Sequence, residues 1–145
     1  MVTDITKLAI FTIEQKEYAI TLSNVERVVH AAAITPLTEA PKIVLGLINF
    51  EGSIIPVINL RKCFKIEERD IHLSDQFIIA KTSERTVALW VDEVTKVLEL
   101  TNEDLTLGKK ILPNSLDIEG VVIREDGMIL IYNLDRLLSL DINET

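Results

Sequence analysis

Few side chains in this sequence have the types and spacing that catalysis or metal binding requires. The chain has two histidines, His30 and His72, and neither has a second candidate ligand at the spacing typical of a metal site. Cys63 follows two cations, which favour a reactive thiolate, but a small residue between Lys62 and Phe64 is better explained by packing. The sequence therefore predicts no metal, no cofactor and no enzyme activity.

Two further patterns of catalytic sites are missing or weak. The five glycines are scattered among turn sequences, so the chain has no glycine-rich phosphate loop. Residues Glu67–Asp70 form a run of charges, which is usually a solvated loop, and acid–base chemistry there would need a cleft around the carboxylates. A small-molecule-binding or hydrolytic β-barrel is kept as an alternative, which would need a polar pocket with convergent titratable groups.

A repeated apolar stripe points instead to protein binding. Apolar residues recur every three positions in two segments, and they are Leu22, Val25 and Val28 in the first and Val91, Val94 and Val97 in the second. If both stripes are fully covered, they belong to the core, and periodicity alone favours that interpretation. If one stripe is partly exposed, it forms an apolar groove suited to an amphipathic helix of a partner.

The two stripes belong to an internal duplication, in which residues 17–60 are written again as residues 86–134. The segment that begins at Tyr18 recurs from Val87, and the segment that begins at Gly46 recurs from Gly120, at a slightly larger offset. This pattern predicts a single domain, residues 1–145, made of two related lobes with a cleft.

Short strand patterns separated by turn residues dominate the chain. Glu51-Gly52 and Asp126-Gly127 are each flanked by apolar runs, as in tight hairpins. Pro56 lies inside such a run and predicts an edge strand or a bulge, because proline has no N–H to donate to a ladder. Many short strands in two similar sets predict an all-β fold of two small barrels.

Helical patterns are few and short. Ser23-x-x-Glu26 has the form of a capping box and predicts one helical turn. Residues 59–64 predict about one or two turns, and residues 135–140 predict a closing helix that starts at Asn133 or Asp135.

Composition excludes several classes of partner. The formal net charge of −8 argues against binding to nucleic-acid phosphates. The single cysteine rules out an internal disulfide and suits a reducing cytoplasm. The chain starts without the pattern of a signal peptide, and its apolar runs are too short to span a bilayer. We therefore expect a soluble cytoplasmic protein that binds no nucleic acid and does not insert into the membrane.

The segment Gly46–Arg61, with the sequence GLINFEGSIIPVINLR, strongly resembles the signature of the CheW family, the coupling proteins of bacterial chemotaxis. Further matches extend over nearly the whole chain. Residues Ile34–Pro36 match the segment before the signature, Val91–Leu98 match the second-half motif, and Met128–Leu138 match the closing strand and helix.

This resemblance implies two pseudo-repeated five-stranded barrels packed together, with a few short helices and a short C-terminal helix, and it allows strands to be exchanged between the lobes. It also implies a non-catalytic signalling adaptor. Family members bridge the cytoplasmic tip of a methyl-accepting chemoreceptor to the regulatory domain of a CheA-type histidine kinase. The chain is then expected in the cytoplasm, recruited to receptor arrays at the inner face of the membrane.

The resemblance also implies which residues bind partners. Leu22, Val25 and Val28 match apolar residues that line the receptor-binding groove. Gly46 and Gly52 match glycines that shape this region. The family also offers an alternative. The chain could be a CheW-like scaffold that assembles arrays, or it could serve a pathway other than flagellar chemotaxis, such as type IV pilus motility.

One position departs from the family pattern, because Glu51 stands where the family usually has arginine. Arginine can make a forked contact with a carboxylate, whereas glutamate can only accept hydrogen bonds. We therefore predict that a partner carries a basic residue opposite Glu51, and that Glu51→Arg weakens binding to that partner.

Overall fold

The computed structural model describes residues 5–101, 118–125 and 127–142. Their strands are β1 (Ile5–Ile13), β2 (Lys16–Thr21), β3 (Val25–His30), β4 (Thr35–Pro36), β5 (Val44–Phe50), β6 (Ser53–Asn59), β7 (Gln76–Lys81), β8 (Thr86–Val91), β9 (Glu93–Thr101), β10 (Ile118–Arg124) and β11 (Gly127–Tyr132). Helix α1 (Leu60–Cys63) follows β6, and helix α2 (Leu134–Ile142) follows β11. Strands dominate, which confirms the all-β prediction. The predicted turn residue Asp126 lies outside the described residues.

The strands form two sheets. One has five strands in the order β10-β11-β2-β1-β9, and the other has six in the order β3-β7-β8-β6-β5-β4. Neighbouring strands are antiparallel except in the β2–β11 and β6–β8 pairs, which are parallel. The description as two five-stranded barrels is therefore approximate, because neither sheet is closed over the described residues and one has a sixth strand.

Each sheet contains strands from both halves of the chain. In the five-stranded sheet, β1 pairs with β9 and β2 pairs with β11. In the six-stranded sheet, β3 pairs with β7 and β6 pairs with β8. The chain crosses from one sheet to the other between β2 and β3, and crosses back between β8 and β9. The two sheets therefore do not correspond to the two halves of the sequence.

The pairing registers repeat with the offset found in the sequence. Val28 lies opposite Ile78 in the β3–β7 pair, and Val97 lies opposite Ala9 in the β1–β9 pair. Val97 is the counterpart of Val28 in the repeat, and Ile78 follows Ala9 at the same offset. A register shift interrupts both β3 and β9 at equivalent positions, and another interrupts both β5 and β10. Shared irregularities of this kind support the proposal of a duplicated chain.

Each half ends in a helix that an asparagine caps. Asn59 Oδ1 accepts the Arg61 N–H at 3.1 Å at the start of α1, and Asn133 Oδ1 accepts the Arg136 N–H at 3.1 Å at the start of α2. A side-chain oxygen at this position satisfies one of the backbone donors that a helix start leaves unpaired. The predicted helices at residues 59–64 and 135–140 are confirmed.

Two local predictions are wrong. Ser23 does not cap an α-helical turn: Leu22–Asn24 form one 3₁₀ turn that has no side-chain capping bond, and the β-branched residues that follow it extend into β3. Pro56 lies neither on an edge strand, since β6 pairs with β5 on one side and β8 on the other, nor at a register shift, since it pairs with Leu47 beyond the shift between Val44 and Gly46. The ladder to β8 begins at Val57, so no β8 residue pairs with the proline.

Apolar side chains form three clusters. The largest, here called the shared core, lies between the sheets and includes Phe11 from one sheet and Ile78 from the other, both fully buried, together with side chains of α2. A second cluster around Phe77 belongs to the six-stranded sheet, and a third around Ile10 belongs to the five-stranded sheet. Each sheet therefore packs on one face against the other sheet and on its other face around its own small core.

Candidate functional site

The edge strands β3 and β9 border the shared core. Val28 on β3 lies opposite Ile78, and Val97 on β9 lies opposite Ala9. Both partners belong to the shared core. Because paired residues point to the same face of a sheet, both valines point toward that core. Each strand is the edge of its sheet in the described part of the chain, so the shared core has two apolar borders.

The first border is formed by Leu22, Val25 and Val28. All three are half-buried and pack against the shared core, and part of each side chain remains in contact with solvent. The stripe is therefore neither sealed in the core nor fully exposed, and its use as a partner-binding groove stays a prediction.

The second border comes from the other half of the chain. Val91 is buried, Val94 is half-buried against the shared core, and Val97 is 54% exposed. The sequence placed these residues in step with the first stripe, but the family resemblance assigns only the first stripe to the receptor-binding groove. We call the surface between the two borders the groove.

A cleft of about 490 Å³ lies beside the first border. It is lined by Ile5, Thr6 and Lys7 of β1 and by Thr21, Leu22 and Ser23 at the β2–β3 crossing. Ile5 is 58% exposed. Exposed aliphatic carbons next to half-buried ones form apolar surface whose burial is favourable by about 25 cal/mol for each Å².

The Glu51-Gly52 turn lies at the tip of the β5–β6 hairpin. Glu51 has φ 49° and Gly52 has φ 86°, which is the left-handed backbone that a two-residue hairpin turn requires. Asn49 Oδ1 accepts the Gly52 N–H at 3.0 Å and so holds the turn. A side chain at Gly52 would meet open space, so backbone conformation alone favours glycine there.

Arg27 of β3 is the ionic partner of Glu51. Its guanidinium donates to the Glu51 carboxylate and lies 5.7 Å from the centre of the Phe50 ring. The ion pair links an edge strand of the six-stranded sheet to the β5–β6 hairpin, although three strands lie between β3 and β5 in the sheet. The sheet is therefore curved enough for the two to meet. Glu51 therefore already has a basic partner within the chain, and a basic residue opposite it on a binding partner stays a prediction.

Gly46 does not reach the groove. It is buried at the β5 bulge, and a Cβ there would lie 2.3 Å from the Thr35 carbonyl oxygen and 2.6 Å from Ile34 Cγ2. Glycine at this position lets β4 approach β5. Gly46 therefore shapes the six-stranded sheet, and a contact between Gly46 and a partner stays a prediction.

A cluster of charged residues joins the two sheets where β8 leads into β9. Arg61, whose side chain is 2% exposed, donates from Nη1 to Glu14 Oε1 at 2.6 Å and from Nη2 to Asp92 Oδ1 at 2.8 Å. Its guanidinium lies 5.3 Å from the centre of the Trp90 ring. An arginine this deeply buried needs charged acceptors, and these two carboxylates supply them.

Arg69 and Asp75 complete this charged cluster. The Arg69 guanidinium binds Asp75 through two bonds of 2.8 and 2.9 Å, and Trp90 Nε1 donates to Asp75 Oδ2 at 3.0 Å. Burial alone would raise the pKa of Asp75, but hydrogen bonds from Arg69, the His72 N–H and Trp90 outweigh it and lower that pKa to about 2. The hydrogen bond with Asp75 in turn raises the pKa of Arg69. We call Glu14, Arg61, Arg69, Asp75, Trp90 and Asp92 the junction cluster.

Candidate metal ligands are not grouped in the part of the chain that the structure describes. Over those residues, no group of three histidine, cysteine, aspartate or glutamate side chains is placed to hold a metal ion. The charge run at Glu67–Asp70 supplies Arg69 to the junction cluster, where it is paired with acids. None of the described helices is long and apolar enough to cross a membrane.

The fold thus brings some predicted site residues together and separates others. Leu22, Val25 and Val28 form one border of the groove, and Arg27 links the same strand to Glu51 and Gly52. Gly46 lies apart. Sequence reasoning missed Arg27, because its partner is distant along the chain and no local pattern marks the pair. The duplication could have identified the β9 border.

Comparisons with known proteins agree on one family. The family model described as the CheW-like domain matches residues 7–141. A chemotaxis protein CheW of Thermotoga maritima is 33% identical over 129 residues, which cover 88% of this chain and 84% of the relative. A chemotaxis protein CheW of Treponema pallidum is 24% identical over 92% of this chain and 82% of the relative.

A solved structure shares the fold. The crystal structure of the scaffolding protein TtCheW from Thermoanaerobacter tengcongensis matches with a TM-score of 0.82 and 28% identity, over 98% of this chain and 98% of that chain. The likeness therefore includes both sheets and the crossings between them.

Proposed function

Because the chain belongs to the family of CheW-like domains, we propose that it links the cytoplasmic tip of a methyl-accepting chemoreceptor to the regulatory domain of a CheA-type histidine kinase. A chemotaxis scaffold of this kind works by binding alone, without chemistry of its own. It would act in the cytoplasm, recruited to receptor arrays at the membrane.

One observation carries the receptor side of this proposal: Val25 and Val28 pack against the shared core yet stay partly exposed. Their inner carbons are fixed by the core, so they offer a rigid apolar surface that loses little side-chain freedom on binding. A helix of the receptor tip laid between the β3 and β9 borders would cover both rows.

The test compares two neighbouring valines on opposite faces of β3. Val28 faces the shared core and the groove, whereas Val29 packs against the cluster of the six-stranded sheet. Val→Thr keeps the shape and replaces one methyl by a hydroxyl. We expect Val28→Thr to weaken binding to a purified receptor-tip fragment by about fivefold, which is roughly the effect of no longer burying one methyl group. We expect Val29→Thr to leave this affinity unchanged.

Isothermal titration calorimetry on the two variants and the wild type measures this difference. Equal affinities for Val28→Thr and wild type would place the receptor elsewhere. Failure of the wild type to bind either a receptor-tip fragment or a kinase regulatory domain would overturn the adaptor function itself.

A role in assembling arrays is the second candidate, and the hairpin tips favour it. Ile54 on β6 is 61% exposed, and Met128 on β11 is 66% exposed. They occupy equivalent positions of the repeat, at the same offset that relates Gly46 to Gly120. Two apolar contacts at matching places would let the chain join one neighbour through each hairpin.

The assembly role is tested by Ile54→Lys and Met128→Lys. We expect each to reduce co-sedimentation of the protein with a kinase regulatory domain and to leave affinity for a receptor-tip fragment unchanged. Unaltered co-sedimentation of both variants would exclude these hairpins as assembly contacts.

A further inference from the structure

Asp92 stands at the point where the chain changes sheets. Strand β8 of the six-stranded sheet ends at Val91, and β9 of the five-stranded sheet begins at Glu93. Asp92 is therefore the single residue between them. The conformation of this residue sets the direction in which β9 leaves the junction.

Three donors hold the Asp92 carboxylate. Oδ1 accepts from Arg61 Nη2 at 2.8 Å and from Arg69 Nη2 at 2.9 Å, and Oδ2 accepts the Glu14 N–H at 2.9 Å. The Asp92 N–H donates to the Thr12 carbonyl at 3.0 Å, which begins the pairing of this segment with β1. The donors come from α1, from the loop before β7 and from the β1–β2 turn, so three parts of the chain fix one side chain.

This anchor lies within the second border of the groove, between Val91 and Val94. The Val94 N–H donates to Gln76 Oε1 at 2.6 Å, and Val94 and Val97 then form the β9 border. A change in direction at Asp92 would therefore shift this border relative to β3.

The equivalent crossing in the first half is built differently. Ser23 is the counterpart of Asp92 in the repeat, lies in the 3₁₀ turn between β2 and β3, and is exposed. Here the neighbouring Asn24 Nδ2 donates to the Lys81 carbonyl at 2.9 Å. Duplication alone thus does not account for the charged anchor, which belongs to the second crossing.

We propose that Asp92 is a positioning residue for the groove: by binding Arg61, Arg69 and the Glu14 N–H, it holds the β9 border in place for a bound partner. The expected effect of Asp92 on receptor affinity rests on the proposed function, whereas its expected effect on the position of β9 does not.

Amide hydrogen exchange of the Asp92→Asn variant tests the positioning role directly. Asparagine keeps the shape but removes the charge that two arginines share. We expect amides of residues 94–98 to exchange about tenfold faster, as for a local opening, and amides of β7 and β8 to stay within about twofold of wild type.

Asp75→Asn is the matched control. Asp75 belongs to the same cluster and binds Arg69, His72 N–H and Trp90, none of which lies on β9. We expect this variant to lose stability, with an effect on residues 94–98 clearly smaller than that of Asp92→Asn, because it acts on Asp92 only indirectly through Arg69. Should both variants accelerate exchange equally throughout the protein, Asp92 would be an ordinary stabilising residue and the proposal would be overturned.

Arg69→Gln provides a second variant in case Asp92→Asn fails to fold. It removes one of the two arginines on Asp92 and leaves Arg61, so we expect a smaller but still selective increase of exchange at residues 94–98. Absence of that increase in a folded Arg69→Gln protein would also overturn the proposal.

Binding of a receptor-tip fragment distinguishes the role of Asp92 in positioning β9 from its role in partner affinity. With β9 selectively loosened, affinity should fall about tenfold in Asp92→Asn and much less in Asp75→Asn. Selective loosening with unchanged affinity would show that the position of β9 does not matter to the partner, against the proposal. If the wild type itself does not bind the fragment, the proposed function fails while the exchange result still decides the role of Asp92.

Discussion

At the scale of single residues, the Arg27–Glu51 pair changes how Glu51 is understood. A glutamate in place of a usual arginine suggested a basic residue on a partner. The fold supplies the basic residue from β3, and both side chains remain more than half exposed. The pair is therefore neutral overall, and a partner that meets it encounters both a donor and an acceptor. No sequence pattern predicts this, since the pairing depends on the curvature of the sheet.

Charge reversal separates the internal role of the pair from its role in binding. In Glu51→Arg, two guanidinium groups face each other, and we expect a loss of about 1 kcal/mol in the free energy of unfolding at low salt, less at high salt. The double variant Arg27→Glu/Glu51→Arg restores an ion pair and should recover most of that loss. Urea unfolding at two salt concentrations measures it.

The same single and double variants also test binding to a partner. The sequence predicts that Glu51→Arg weakens binding to a partner with a basic residue opposite position 51, and a receptor-tip fragment is the first partner to test. Recovery of affinity in the double variant would mean that the partner needs the shape held by the pair. A double variant that binds as weakly as the single one would mean that the partner reads the sign of the charge at residue 51.

Asp75 gives a prediction for pH. Its folded pKa of about 2 lies below the ordinary 3.8, so ionised Asp75 stabilises the fold fully above about pH 4, and this contribution is lost as pH falls toward 2. The shift corresponds to about 2 kcal/mol. Unfolding free energies of wild type and Asp75→Asn should therefore converge between pH 4 and pH 2. A constant difference across this range would contradict the assignment.

At the scale of secondary-structure elements, the sequence predicted what depends on local chemistry. Hairpin turns and the short helices after β6 and β11 follow from residue types at fixed spacing. Predictions failed where tertiary pairing decided. The capping-box pattern at Ser23 yielded to β3, whose valines gain more from pairing with β7 than a single helical turn would provide. Pro56 was tolerated inside the sheet because the β8 ladder starts one residue later.

Two glycines of the candidate site should respond differently to alanine. In Gly46→Ala the new methyl would meet the Thr35 carbonyl at 2.3 Å, and β4 would have to move away. We expect a loss of about 3 kcal/mol in unfolding free energy. Gly52→Ala meets open space and should cost only about 1 kcal/mol, from its positive φ.

Chemical denaturation of the two variants measures this contrast. Because Gly46 lies away from the groove, receptor affinity measured well below the melting temperature should be similar in Gly46→Ala and wild type. A large selective loss of affinity in Gly46→Ala would mean that β4 or its neighbours contact the partner.

At the scale of the whole molecule, pairing between the halves has the largest consequence for folding. Each sheet takes strands from both halves, and the shared core lies between the sheets. A single half would therefore leave strand edges and apolar surface without partners. The sequence revealed the repeat and its offsets. The sequence did not predict which strand of one half pairs with which strand of the other, because long-range pairing leaves no local pattern.

Cutting the chain between Asp70 and Ile71 tests this interdependence. We expect residues 1–70 and residues 71–145 to be unfolded when separate and to recover β-sheet structure when mixed, since each supplies strands to both sheets. Circular dichroism of the separate and mixed fragments measures it. Independent folding of either fragment would show that pairing within one half is sufficient.

The junction cluster also gives the molecule an optical reporter. Trp90 is the one tryptophan of the chain, and it lies buried beside the guanidinium groups of Arg61 and Arg69, 5.3 and 5.5 Å from its ring. Indole fluorescence is sensitive to nearby charge, so movement of either arginine should change its intensity and wavelength. Natural emission of the unlabelled protein would then report, in real time, whether a partner bound at a distance disturbs the crossing between the sheets.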